Sequence, residues 1–74
     1  METAYSMEMV YSKDRELIGR GDWLMDTTGV YEVTDIDSQF VYLREVEFED
    51  DGNYRYIGSR RITHKEAGTM VYHF

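Results

Sequence analysis

The chain has no cysteine and no proline. Without cysteine, neither a disulfide framework nor a cysteine-based zinc site can brace the fold. The default expectation is a reducing, cytoplasmic setting. The N-terminus, METAYSMEMV, carries acids rather than a basic leader, and no long apolar run follows it. Neither a secretory signal nor a membrane span is expected. Histidine is confined to His64 and His73, with no HxxxH-type spacing, so no transition-metal site is expected. Asp50-Asp51-Gly52-Asn53 is shorter than a calcium-binding EF-hand loop and lacks its ligand spacing. Gly19-Arg20-Gly21 is followed by no GK[ST] and opens no helix, so it is not a phosphate loop. No serine or aspartate sits in a nucleophile setting. The expectation is a protein that is not an enzyme and carries no cofactor.

What the chain does have is apolar and aromatic residues. Apolar residues make up 42% of its 74 residues, with seven Tyr, three Phe and one Trp, enough to expect one small domain over 1–74. A domain of this size buries only roughly 60% of the surface its unfolded chain exposes. Tyr and Val content favours strands.

Between Gly21 and Arg61 the chain reads as a meander: GDWLMD, VYEVTDI, QFVYLREVEF and NYRYIGSRR, each separated by turn residues. Ahead of it, Tyr5, Met7, Met9 and Tyr11 alternate with Ser6, Glu8 and Val10 and predict a strand over 4–11 with a buried Tyr/Met face. Residues 12–20 read as a loop with at most one helical turn, reversing at Gly19 and Gly21. In QFVYLREVEF the apolar phase flips near Arg44-Glu45: Val41 and Leu43 share one face, Val46 and Phe48 the other. A β-bulge or bend there would return both pairs to one core. Asp51-Gly52 supplies the positive-φ positions of a tight hairpin turn. Gly58 marks a bulge or a close backbone approach. Thr63 and Glu66 fit a capping box, so one helical turn is expected near 63–67. A closing strand over 69–74 is expected to put Met70, Tyr72 and Phe74 on one side.

This pattern resembles an SH3-like barrel. ELIGRGDWLM (16–25) is similar to the diverging turn and first strand of such domains, and RRITHKEAGTMVY (60–72) to their ending of strand, short helical turn and strand. The resemblance implies a mainly all-β fold of five or six antiparallel strands, and binding rather than catalysis. The ALYDY-type motif and closing Pro-Asn-Tyr of the proline-peptide binders are absent, so no binding residue is carried over.

The net charge of −7 is unevenly spread. Residues 30–52 hold eight acids and one base, whereas 53–65 hold four bases and no acid. Glu45, Glu47 and Glu49 recur every second residue, about 7 Å apart on a strand, and Asp50 and Asp51 extend the row. Such a row could imitate a phosphate backbone and fill the basic cleft of a DNA- or RNA-handling enzyme, as phage and mobile-element inhibitors do. The plainer expectation for the row is a solvated acidic hairpin that keeps the protein soluble and discourages edge pairing. Arg60, Arg61 and Lys65, with Trp23, Tyr54 and Tyr56, form a basic and aromatic set suited to phosphate contact and base stacking. The overall negative field opposes direct nucleic-acid binding. Arg55 is instead expected across the hairpin from Glu47 or Glu49. The main expectation is a binding module with a protein partner. The alternatives are a nucleic-acid mimic and an accessory nucleic-acid binder. A homodimer through edge strands at 4–11 or 69–74 is a further possibility.

Overall fold

The computed structural model describes residues 9–73. Five strands form one antiparallel sheet: β1 (Trp23–Asp26), β2 (Gly29–Ile36), β3 (Phe40–Phe48), β4 (Tyr54–Thr63) and β5 (Val71–His73). Their order is β4-β3-β2-β1-β5, so β4 and β5 are the edges. The expected all-β meander is present. Most of the expected strand over 4–11 lies outside the described residues. Within its described part, Tyr11 makes only an isolated bridge to Leu17. The expected burial is also reversed there. Met9 and Tyr11 are exposed while Val10 is buried, because it is Val10 that meets the core.

Residues 12–16 form a tight turn rather than a helical one. The Ser12 amide donates to the Glu16 carbonyl at 3.0 Å, and the Ile18 amide returns to the Val10 carbonyl at 2.8 Å. The Ser12 hydroxyl is buried with the turn; it donates to the Asp14 carboxylate and accepts from the Glu16 amide. The turn is tied to the far end of the chain, since the Lys13 amide donates to the Met70 carbonyl at 2.8 Å.

The hairpin signals are realised where the residue types place them. At the β3–β4 turn, Gly52 has φ +90° and the Glu49 amide donates to the Asn53 carbonyl at 2.8 Å. At the β2–β3 turn, Asp37 accepts from the amides of Gln39 (2.8 Å) and Phe40 (2.7 Å) and from the Tyr42 hydroxyl (2.6 Å). The one-turn helix α1 (His64–Ala67) carries a complete capping box: Thr63 accepts from the Glu66 amide, and Glu66 accepts from the Thr63 amide.

The core lies on one face of the sheet. Leu24, Tyr31, Val33, Val41, Leu43 and Ile62 come from successive strands, and Val10, Ile18, Ala67 and Met70 close over them. Strand alternation accounts for the membership: Leu24 pairs with Tyr31, Val33 with Leu43 and Val41 with Ile62.

The register break expected near Arg44-Glu45 falls between Glu45 and Val46. Glu45 pairs with Gly58 and Val46 with Tyr56, so the extra residue is Ile57 of β4. Its consequence differs from the expectation. Against β2, β3 runs unbroken from Leu43 to Val46, which leaves Val46 on the face opposite Leu43. Val46 is buried there, outside the main core, and Phe48 is half exposed. Both faces of β3 are therefore apolar over part of its length.

Leu24 is fully buried, so Leu24→Ala is expected to cost about 2–5 kcal/mol. Leu17→Ala, at a side chain 52% exposed, should stay within about 0.5 kcal/mol. Urea unfolding followed by circular dichroism measures both. The Tyr42 hydroxyl and the two turn amides hold the Asp37 carboxyl below its ordinary value. Its stabilising contribution is thus present above the unfolded value of about 3.9 and lost as pH falls through the lower folded value. The urea midpoint should drop in that acid range, and less steeply in Asp37→Asn.

Candidate functional site

By strand alternation, the face opposite the core carries Trp23 and Met25 of β1, Val30 and Glu32 of β2, Arg44, Val46 and Phe48 of β3, and Tyr54 and Tyr56 of β4. His73 of β5 pairs with Trp23. The aromatic members gather into one cluster. The Trp23 ring centroid lies 5.0 Å from that of Tyr54, 5.8 Å from Phe48 and 5.9 Å from His73. Tyr54 continues to Tyr56 at 5.7 Å, and Phe48 stacks on His73 at 6.4 Å.

A flat sheet could not bring these rings together. Trp23 is aligned with Glu32 and, through it, with Arg44. Phe48 lies four residues further along β3, so a flat sheet would leave the Trp23 and Phe48 Cα atoms about 16 Å apart. The 5.8 Å ring separation requires the outer part of the β3–β4 hairpin to coil across β1. The bulge at Ile57 adds the local twist that permits this.

The cluster is open to solvent. Phe48 is 50%, Tyr54 47% and Tyr56 40% exposed, while Trp23 and His73 are half-buried beneath them. Tyr56 is the most constrained. The Arg44 guanidinium sits 3.8 Å above its ring and donates to Glu32 at 3.1 Å. A hydrogen bond to Glu32 is the main reason that the Tyr56 hydroxyl is pushed up to about 12.

Of the residues singled out in the sequence, Trp23, Tyr54 and Tyr56 meet on this face. Arg61 lies on the same face beside Tyr42, outside the aromatic cluster, and Arg60 lies on the core face. As neighbours on β4 they project to opposite faces: Arg60 donates to the Tyr31 hydroxyl at 3.1 Å, and Arg61 lies 4.4 Å over the Phe40 ring. Lys65 is exposed on α1. Phe48, His73 and Arg44 complete the group without having been expected in it. The Val46-Phe48 phase flip was the available signal for Phe48; nothing local pointed to His73.

The acidic row is only partly a row of free charges. Arg55 donates to Glu47 from Nε at 2.9 Å and Nη2 at 2.7 Å, and its Nε lies 3.7 Å from Glu49. This is the cross-hairpin contact expected from the Asp-Gly turn. Glu45 is half-buried beside Gly58, and Asp51 accepts from the amide and side chain of Asn53 at the tip. Asp50 is exposed. Among the described residues, no helix is long and apolar enough to cross a membrane, and no three His, Asp or Glu side chains are grouped as metal ligands.

No protein family, curated protein or solved structure compared with the chain is significantly similar to it.

The Glu32 contact makes a specific expectation. A folded-state value raised above that of the unfolded chain means the bond stabilises below pH ~10 and is lost as pH rises through about 12. Glu32→Gln should return Tyr56 toward the ordinary tyrosine range. Ring-carbon NMR of Tyr56 across alkaline pH reads the change; an unmoved titration would mean that Glu32 does not hold the proton.

Proposed function

We propose that the protein is a small, acidic, non-catalytic binding module with an SH3-like arrangement, acting through a protein partner that docks on the Trp23–Phe48–Tyr54–Tyr56 face. The fold side of this reading is supported by the strand order β4-β3-β2-β1-β5 with one helical turn ahead of the last strand. The functional side rests on one observation. A cluster of aromatic rings is held in a fixed arrangement on the face away from the core and left about half exposed. Such rings add nothing to solubility. Aromatic residues, Trp and Tyr above all, supply large contact area at low conformational cost and dominate binding hot spots.

Mimicry of a nucleic acid is the weaker reading. It needs a run of unneutralised acids, yet Arg55 takes up Glu47 and approaches Glu49 in the middle of that run. Accessory nucleic-acid binding is weaker still, since Arg60 and Arg61 part to opposite faces and the net charge is −7.

The test is affinity capture from the native host with wild-type and variant proteins, each checked for folding by circular dichroism. Phe48→Ser and Tyr54→Ser should each weaken capture of the specific partner by about tenfold or more. The complex should persist at about 0.5 M salt, where the Debye length is only a few ångströms. Reversal of Glu45, Glu47 and Glu49 to Lys should leave capture largely intact. Loss of capture on charge reversal, with the aromatic variants still binding, would replace this reading by mimicry.

A further inference from the structure

Of the six arginines, Arg15 in the first turn and Arg61 on β4 have no side-chain acceptor among the described residues. Arg20 lies 3.9 Å from Asp35, Arg44 is bound to Glu32, and Arg55 to Glu47. Arg60 donates to the Tyr31 hydroxyl. Arg61 differs from these. Its guanidinium lies over the Phe40 ring, and no protein acceptor takes any of its N–H groups among the described residues. Stacking uses only the flat face of a guanidinium, so its in-plane donors stay available.

Arg61 borders an open groove of about 620 Å³ that runs across β2, β3 and β4, past Thr34, Tyr42, Arg44, Ser59 and Arg60. Tyr42 pairs with Arg61 and Arg44 with Ser59, so these four side chains share the face that carries the aromatic cluster. Arg44 and Arg61 are diagonal neighbours there, about 7–8 Å apart at the backbone. The Ser59 hydroxyl, between them, also has no protein partner among the described residues. The two nearest carboxylates on β2, Glu32 and Asp35, already face Arg44 and Arg20, so neither takes up the Arg61 donors. Asp37 is occupied by the Tyr42 hydroxyl and its own turn amides.

We propose that this groove is a binding site for a single anionic group, a phosphate monoester or carboxylate, held by Arg61 and the Ser59 hydroxyl. The group belongs to a side chain of the partner polypeptide. The site rests on the reading above only in that last respect, because it lies on the same face as the aromatic cluster. A polypeptide crossing the sheet would set apolar side chains on Phe48 and Tyr54 and an acidic one in the groove. A polyanion is disfavoured by the net charge of −7, whereas one anionic group needs only the open donors of Arg61.

The experiment is an NMR titration of the isotope-labelled protein with inorganic phosphate, then with a phosphoserine peptide, a glutamate peptide and a short single-stranded oligonucleotide. Phosphate should saturate, with shifts confined to the amides of Tyr42, Arg44, Ser59 and Arg61 and to Arg61 Nε. Arg61→Gln should weaken it by about tenfold or more, the size of one charge-assisted hydrogen bond, while Lys65→Gln should not. Non-saturating shifts spread over Lys13, Arg15 and Lys65, or indifference to Arg61→Gln, would overturn the site. Tighter binding of the oligonucleotide than of either peptide would overturn the partner-side-chain assignment. Since Tyr54→Ser should leave phosphate binding unchanged, failure of the aromatic interface and failure of the groove are separable.

Discussion

One unpaired residue, Ile57, shapes the outer half of this sheet. Opposite it, β3 runs without interruption from Glu45 to Val46, so β4 is longer than its partner by one residue at that point. A strand pair mismatched in this way must bend and twist more strongly. The bend coils the hairpin tip over β1 and brings Phe48 and Tyr54 to Trp23. Without it, Val46 and Phe48 would be apolar residues on a flat solvent face. With it, Val46 is buried and the rings form a second apolar layer that is incomplete on its outer side. The open side is a direct result of geometry: the tip supplies rings to cover Trp23 but has nothing to cover the rings.

The arginines belong to the same arrangement. Arg44 and Arg61 each lie over an aromatic ring on the face away from the core, and Arg60 lies 5.3 Å over Tyr31 on the core side. Contacts of this kind at exposed sites are worth about 0.5–1 kcal/mol each, and solvent screens exposed ion pairs such as Arg55–Glu47. Burial of Leu24, Leu43, Val33 and Val41, at roughly 1.5–3 kcal/mol per side chain, outweighs them. The charged contacts therefore fix register and side-chain direction more than they hold the fold together.

Much of the fold was legible because it depends on local chemistry. Asp51-Gly52 could only be a turn with positive φ, Thr63 and Glu66 could satisfy each other's amides, and Arg55 had to face Glu47 once that turn was set. The phase flip after Arg44 located the register break within a residue. Its effect was not legible, since alternation sorts residues into two faces without saying which is covered. The misplacement of Met9 and Tyr11 has the same origin: their alternation with Val10 was correct, but the smaller residue faces the core. Within the site, Trp23, Tyr54 and Tyr56 were found by type. His73 was not, because it reaches the cluster only through the β1–β5 pairing of distant segments. Arg60 and Arg61 looked like one patch because sequence adjacency reads as spatial adjacency, which is false on a strand.

The charge of β4 also bears on how this small sheet can avoid itself. Edge strand β4 is ten residues long, proline-free and exposed at every position but Ile62. Such an edge is a template for pairing with another copy. Antiparallel self-pairing centred on Gly58 would set Arg55 against Arg61, and centring on Arg60 would set Arg60 against its own copy. Like charges directly opposite are destabilising in a ladder. The residue left unpaired by the bulge, Ile57, interrupts the same edge where its neighbours Tyr54 and Tyr56 are most apolar. The feature that opens the aromatic face thus also breaks the edge. The open aromatic surface proposed for a partner and the interruption of the exposed edge come from one local irregularity in β4.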